Sequence, residues 1–207
     1  QPGTDFSDAA RAALELRTIL DELGITGFPK TSGGRGLHVF AGIEPAAFVD
    51  ARHAAIAIGR ELSRRMPDLV TVNWWKEERG RRIFVDFNQM ARDRLMASAY
   101  SIRPVEDARV SAPLTWDELE DADPGAFTVS TMPRRFAELG DVWAALYATR
   151  PSSIASALAW YERDADRGEG ELPYPPDYPK MPGEPPRVQP SKLRAENWDG
   201  QGRRIAD

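Results

Sequence analysis

The stretch KTSGGRGLHVF, residues 30–40, places Gly33, Gly34 and Gly36 in a short run and then enters an apolar segment directly. That order constrains the fold. A glycine loop that opens a strand is not a Rossmann fingerprint, where a helix follows. It is not a Walker A loop either, because no Gly-Lys-Ser/Thr comes after it. The glycines allow backbone N–H groups to approach an anion. Ser32 offers a hydroxyl, Arg35 a guanidinium fork and His38 a ring N–H. A glycine-rich hairpin with a buried, satisfied histidine is the other reading of the same residues.

The rest of the chain alternates helices and strands irregularly, which predicts an α+β or α/β domain with a mixed β-sheet core flanked by helices. Leu16, Ile19, Leu20 and Leu23 recur at helical spacing, giving a helix over 5–23 stopped by Gly24. Residues 29–36 read as a loop and 37–43 as a strand. Pro45 opens a helix over 46–66, with Phe48, Ala55, Leu62 and Met66 on one face, and Pro67 ends it. A β-rich stretch covers 69–75, and a strand covers 82–87. A neighbouring strand is expected at 99–103. Thr115 and Glu118, at capping-box spacing, start a short helix. A strand over 127–131 and helices over 133–139 and 151–164 complete the domain. No internal repeat is visible.

Composition changes after Leu172. Eight of the 17 prolines fall between Pro173 and Pro190. Such a segment makes neither regular helix nor central strand. It is expected as an extended proline-rich tail over 172–207, docked on the domain or linking to another.

With 207 residues, 42% hydrophobic and 29% charged, one globular domain of 1–171 plus this appendage is expected. The net charge of −5 argues against a uniformly basic nucleic-acid coat but leaves room for a local basic groove. There is no cysteine, so disulfides and thiolate metal sites are excluded. With only His38 and His53, a metal would be held by carboxylates, which favours Mg²⁺ or Mn²⁺. No apolar run reaches the roughly 20 residues of a membrane span.

FVDFNQ, residues 84–89, puts Asp86 inside an apolar strand, which is costly unless the carboxylate is paired or metal-bound. A metal-ligating or catalytic carboxylate is one reading; an aspartate capping the turn at Asn88 is the other. Arg79, Arg81, Arg82, Arg92, Arg94 and Arg103 surround it in sequence, and arginine suits phosphate. For Arg81, Arg92 and Arg94 a solvated turn is the plainer reading. Trp74 and Trp75 could stack a base or fill the core. His53 reads as a helix-surface residue, and the acidic clusters Glu77–Glu78 and Asp117–Asp121 as a charged connector and a helix first turn.

Taken in order, FPKTSGGRGLHVF, RGRRIFVDFNQ, AYSIRP and SAPLTWDEL resemble the polymerase domain of the bacterial non-homologous end-joining DNA ligase D. They also resemble stand-alone primase-polymerases of the archaeo-eukaryotic primase superfamily. The proline-rich tail looks like the end of that domain, so the resemblance covers essentially the whole chain. It implies nucleotidyl transfer of ribonucleotides onto a DNA 3′-hydroxyl, with Mn²⁺ or Mg²⁺. It implies DNA ends and nucleoside triphosphates as ligands, Ku and a ligase domain as partners, and a bacterial cytoplasmic, nucleoid-associated location without a membrane.

The resemblance also implies site residues. Ser32 and His38 match a Ser…His motif that binds the incoming nucleotide's phosphates. Arg35 stands where ligase D domains usually have lysine, keeping the charge with a different donor geometry. Asp86 matches the third catalytic aspartate, a metal ligand. Gln89 matches a glutamine near the nucleotide, and Arg79 and Arg103 match arginines on the triphosphate. The family's other two aspartates, a D-x-D motif, are expected just before the first helix, and no D-x-D lies upstream of the glycine loop. DAD at 121–123 and at 164–166 is in the wrong place. The chain therefore reads as the C-terminal two-thirds of such a domain, inactive by itself as a polymerase. The alternatives are a nucleotide- or DNA-binding relative that has lost the reaction, and an unrelated oligomeric scaffold.

Overall fold

A computed structural model describes residues 3–90, 94–175 and 182–192. The chain divides into two compact units. The first is Thr4–Pro45 with Leu95–Ile154; the second is Ala46–Arg94 with Ala155–Asp207 and Gln1–Gly3. The α+β class holds. Strand pairing is divided, with one antiparallel pair in the first unit and one parallel pair in the second, rather than a single mixed sheet. Among the described residues no helix is long and apolar enough to cross a membrane.

In the first unit, α1 spans Phe6–Glu22. The Asp5 carboxylate accepts the Asp8 N–H at 3.1 Å, and the Asp5 N–H donates to the Asp8 carboxylate at 3.3 Å. This reciprocal box satisfies two orphan donors at the helix start. Gly24, at φ +68°, and an Ile25 N–H bond to Leu20 O at 2.8 Å close the other end. Ala10 and Ala13 of α1 are buried with Leu114 and Leu119, and Leu37 and Val39 pack against them.

β1 (Gly27–Thr31) and β2 (Leu37–Ala41) form an antiparallel hairpin with Lys30 opposite His38 and Thr31 opposite Leu37. The loop expected over 29–36 is thus shorter, because Pro29 and Lys30 are strand residues. Pro29 has no N–H to give, but its carbonyl accepts from Leu114 N–H at 3.0 Å. Thr31 N–H donates to Ala112 O at 2.9 Å, so residues 112–114 line the second edge of β1. This ladder continues outward: Tyr100 N–H donates to Ser111 O at 2.8 Å and Arg103 N–H to Arg109 O at 2.8 Å. The strands expected at 99–103 and 127–131 are present as single bridges, Ile102 to Val110 and Thr128 to Arg109.

LTWDELED forms turns rather than the expected helix. Its capping-box bonds do form, at 2.8 Å from Thr115 N–H to Glu118 and 3.3 Å from Glu118 N–H to Thr115. Arg135 also holds Glu118 at 2.6 and 3.0 Å, so tertiary contacts claim the residue before a helix can propagate. Arg135 belongs to α3 (Met132–Leu139), which precedes α4 (Ala144–Ala148).

In the second unit, α2 (Phe48–Arg65) packs on α5 (Ala155–Asp166) around Ile56, Trp74 and Phe87. β3 (Val70–Thr71) and β4 (Ile83–Phe84) pair in parallel. Gly59 of α2 lets the helix approach this pair, since a Cβ there would sit 3.1 Å from Val72 and 3.2 Å from Val85. The strand expected over 82–87 ends early: the Asp86 carboxylate accepts the Asn88 N–H at 3.1 Å, and the chain turns into a 3-10 helix, Phe87–Met90. The helix expected from 151 starts at Ala155, because Ser152 is held extended by its N–H bond to Gly42 O at 2.8 Å.

The described part of the proline-rich segment packs on this second unit. Arg52 of α2 is fully buried and donates to Asn88 Oδ1 at 3.0 Å, Leu172 O at 2.6 Å and Pro173 O at 3.3 Å, while pairing with Glu171. Trp74 Nε1–H donates to Gln189 O at 3.0 Å and Lys76 N–H to Pro190 O at 2.7 Å. Side-chain and loop donors thereby satisfy carbonyls that a proline-dense chain cannot pair in a ladder. Residues 176–181 and 193–207 of the expected tail lie outside the described residues, as does Arg92.

Candidate functional site

The glycine loop is the turn of the β1–β2 hairpin. Ser32 N–H donates to Gly36 O at 2.9 Å. Ser32 Oγ accepts from Gly34 N–H at 3.1 Å and Gly36 N–H at 3.0 Å. Two amides expected to face an anion are therefore turned onto the serine. The hydroxyl, with both lone pairs taken, keeps its proton as the remaining donor. Arg35 is exposed in the turn.

Gly33 adopts φ +68°, and a Cβ there would lie 2.3 Å from Arg103 Cγ. The Arg103 side chain thus runs directly over the glycine, delivered by the 100–111 ladder. Arg103, far along the chain, thereby meets Gly33 of the hairpin turn, the residue next to Ser32. His38 stands on the adjacent strand.

Lys30 is the residue that sequence reasoning missed. It is fully buried beside this loop, with Nζ 3.0 Å from His38 Nδ1, bonded to Ser111 Oγ, and 5.7 Å from the Phe40 ring centroid. Its signal was available: a lysine directly opposite a histidine once the hairpin register is drawn. Burial, and secondarily the Arg103 charge, lower its pKa to about 8. Below that value both folded and unfolded states hold the proton, and the cost of burying the charge is present in full. Between about 8 and about 10.4 only the unfolded state holds it, so this residue makes stability rise with pH across that window. The expected gain is about 3 kcal/mol relative to Lys30→Met, read by urea unfolding at stepped pH. Parallel pH profiles for the two proteins would refute it.

The other expected site residues lie in the second unit. Asp86 is exposed, with Oδ1 on Asn88 N–H and Oδ2 accepting from Gln89 Nε2 at 2.8 Å. Gln89 Oε1 is buried without a hydrogen-bond partner. Arg79 is buried, donating from Nε to Asn73 O at 3.0 Å and from Nη2 to Trp74 O at 2.7 Å, with its guanidinium 3.6 Å from the Phe84 ring centroid. Burial lowers its pKa, and the charges of Asp86 and Glu77 oppose that. Arg79 therefore clamps its own turn. Trp74 belongs to the core. His53 is stacked on Tyr161 at 4.0 Å and lies 2.9 Å from Glu171, which gives it a structural place on α2.

A family model described as LigD, primase-polymerase domain, matches residues 1–143. The chain belongs to the LigD primase-polymerase family. It is 31% identical over 179 residues to the multifunctional non-homologous end joining protein LigD of Mycolicibacterium smegmatis, covering 86% of this chain and 23% of that one. It is 36% identical over 146 residues to the Pseudomonas aeruginosa protein of the same name, covering 68% of this chain and 17% of that one. Among solved structures it is similar to the polymerase domain from Mycobacterium tuberculosis ligase D in complex with DNA. That likeness has 32% identity and a TM-score of 0.65, over 72% of this chain and 52% of the other. The chain thus spans about a quarter or less of these curated relatives.

A LigD primase-polymerase reading implies a divalent cation. Asp86 offers carboxylate oxygens, the ligand type hard cations take. Among the described residues, however, no three His, Asp or Glu side chains converge as a group able to hold a metal ion. Asp86 would offer one carboxylate to such an ion, and the described residues do not complete a site around it.

Proposed function

We propose that this chain is the nucleotide-handling portion of a DNA-end primase-polymerase of bacterial non-homologous end joining. The observation that carries the reading is the seating of Arg103 on Gly33 beside Ser32. It is a cation, a hydroxyl donor and a glycine turn assembled from separate segments, as an anion site requires. Ser32, His38 and Arg103 hold the triphosphate oxygens, with Arg35 adding charge from the turn. The resemblance also assigns Gln89 and Arg79, which lie in the second unit, to the nucleotide and its triphosphate. The reaction is attack of a DNA 3′-hydroxyl on the α-phosphorus: the new P–O bond forms, the bond to pyrophosphate breaks, and the hydroxyl proton is released. Donors on the β- and γ-oxygens stabilise the charge that builds on the leaving pyrophosphate. Asp86 would supply one carboxylate to Mn²⁺ or Mg²⁺, which would stabilise charge on the phosphate oxygens. DNA ends, nucleoside triphosphates, Ku and a ligase domain are its proposed partners.

One observation favours a second reading. The only D-x-D sequences are those at 121–123 and 164–166, and Asp86 stands without two further metal-ligating groups among the described residues. A chain with that inventory binds nucleotide or DNA ends without transferring anything.

Binding of a fluorescent ribonucleoside triphosphate in the presence of Mn²⁺ tests the site. Arg103→Ala and His38→Ala are each expected to weaken it at least about tenfold, the worth of one charge-assisted hydrogen bond. Wild-type affinity in both variants would end the nucleotide-binding reading. In the same buffer, the 207-residue chain by itself is expected to leave a primed DNA end unextended; extension would overturn the claim that it is inactive alone.

A further inference from the structure

We infer that Lys30 is a positioning residue that holds His38 as the neutral tautomer protonated on Nε2. The inference deepens the reading of His38 as a phosphate contact and rests on it for its purpose, though not for its geometry.

Lys30 and His38 face each other across the hairpin, one in β1 and one in β2. A fully buried ammonium must place its three protons on acceptors. The surroundings supply three: Thr31 O at 3.3 Å, Ser111 Oγ, and His38 Nδ1 at 3.0 Å. Ser111 spends its own hydroxyl proton on Thr31 O at 2.9 Å, so its oxygen can only accept from Lys30. An ammonium has no lone pair, so its bond to the ring requires an unprotonated Nδ1. A neutral imidazole then carries its proton on Nε2. Protonating both nitrogens would set a second cation 3.0 Å from Nζ, close to the charge of Arg103 as well. That like-charge contact disfavours the imidazolium.

The consequence for a phosphate ligand is specific. His38 presents a fixed N–H donor rather than a titrating cation, and Arg103 carries the formal charge. The buried lysine thus sets the chemical form of a residue it never shares a ligand with.

Two-bond ¹H–¹⁵N correlation of the histidine rings near neutral pH reads the tautomer directly, and His53→Gln assigns the two signals. The expected wild-type pattern for His38 is an unprotonated Nδ1 and a protonated Nε2. Lys30→Met is expected to lose that single pattern to tautomer averaging or an imidazolium signature. Lys30→Arg, which keeps a donor, is expected to retain it. An Nδ1–H or averaged pattern in wild type overturns the inference, so it stands exposed even if a variant folds poorly. A folded Lys30→Met with the wild-type pattern also overturns it. No nucleotide is needed, so failure here is distinguishable from failure of triphosphate binding.

Discussion

Gly33→Ala is expected to destabilise the chain by about 2–5 kcal/mol and to remove triphosphate binding. Two costs add. A left-handed backbone costs a residue with a Cβ about 1–2 kcal/mol, and Gly33 sits at φ +68°. The new methyl would then lie 2.3 Å from Arg103 Cγ and 3.2 Å from its Cδ, with the Ser111 backbone nitrogen 3.1 Å away on another side. The backbone atom cannot yield without breaking the 100–111 ladder. Arg103 must therefore leave its rotamer from the root, moving its guanidinium with it, at a further cost of about 1–3 kcal/mol for overpacking. Gly34 and Gly36 are the controls. A Cβ at either would meet only Ser32 Oγ, at 3.5 and 3.6 Å. Their alanine variants are expected within about 1 kcal/mol of wild type. Urea unfolding and triphosphate titration on all three proteins decide the matter. A Gly33→Ala protein as stable as Gly34→Ala would show that Arg103 does not rest on this turn.

Arg52→Ala is the second large effect, about 3–5 kcal/mol. The guanidinium is fully buried and donates to Asn88, Leu172 and Pro173 while pairing with Glu171. It also lies 5.5 Å from the Phe87 ring centroid and 4.2 Å from that of Tyr174. Removing it leaves a carboxylate, an amide oxygen and two carbonyls short of a donor, which is costlier than the loss of any one bond. Arg52→Met restores much of the volume without the donors and is expected to recover only a minor part. Protease cleavage between Glu171 and Pro175 should accelerate in both variants. If Arg52→Met were as stable as wild type, packing rather than donation would be holding this segment.

Several elements were legible because their causes are local. Gly24 stops α1 within a residue of the expected end, and α3 begins one residue before the Pro133 at which it is expected. β1 was not legible: Pro29 to Thr31 fall in the expected loop over 29–36, and only the partners Val39 and Leu114 make the stretch a strand. The strand expected over 82–87 is shorter, Ile83–Phe84, for the opposite reason. Its alternation continues to Phe87, yet the Asp86 side chain captures the Asn88 N–H and turns the backbone.

In the candidate site, Ser32, Arg35, His38, Asp86, Gln89, Arg79 and Arg103 were nameable from residue type and motif order. Type says what a side chain is able to bind. It does not say what has already bound it. Arg79 is committed to two carbonyls and an aromatic face, and the loop amides of Gly34 and Gly36 to a serine oxygen.

The sequence by itself determined the α+β class, the ends of α1 and α3 to within a residue, and the family, because each depends on chain stiffness or on residue order over short spans. Only the tertiary structure decided that Arg103 rests on Gly33, that Arg52 anchors the proline-rich segment, and that Lys30 is buried against His38. Those outcomes depend on groups far apart in the chain meeting in a space from which water is excluded. There, the neighbour rather than the residue's own identity sets protonation, donor direction and tolerance for a methyl group.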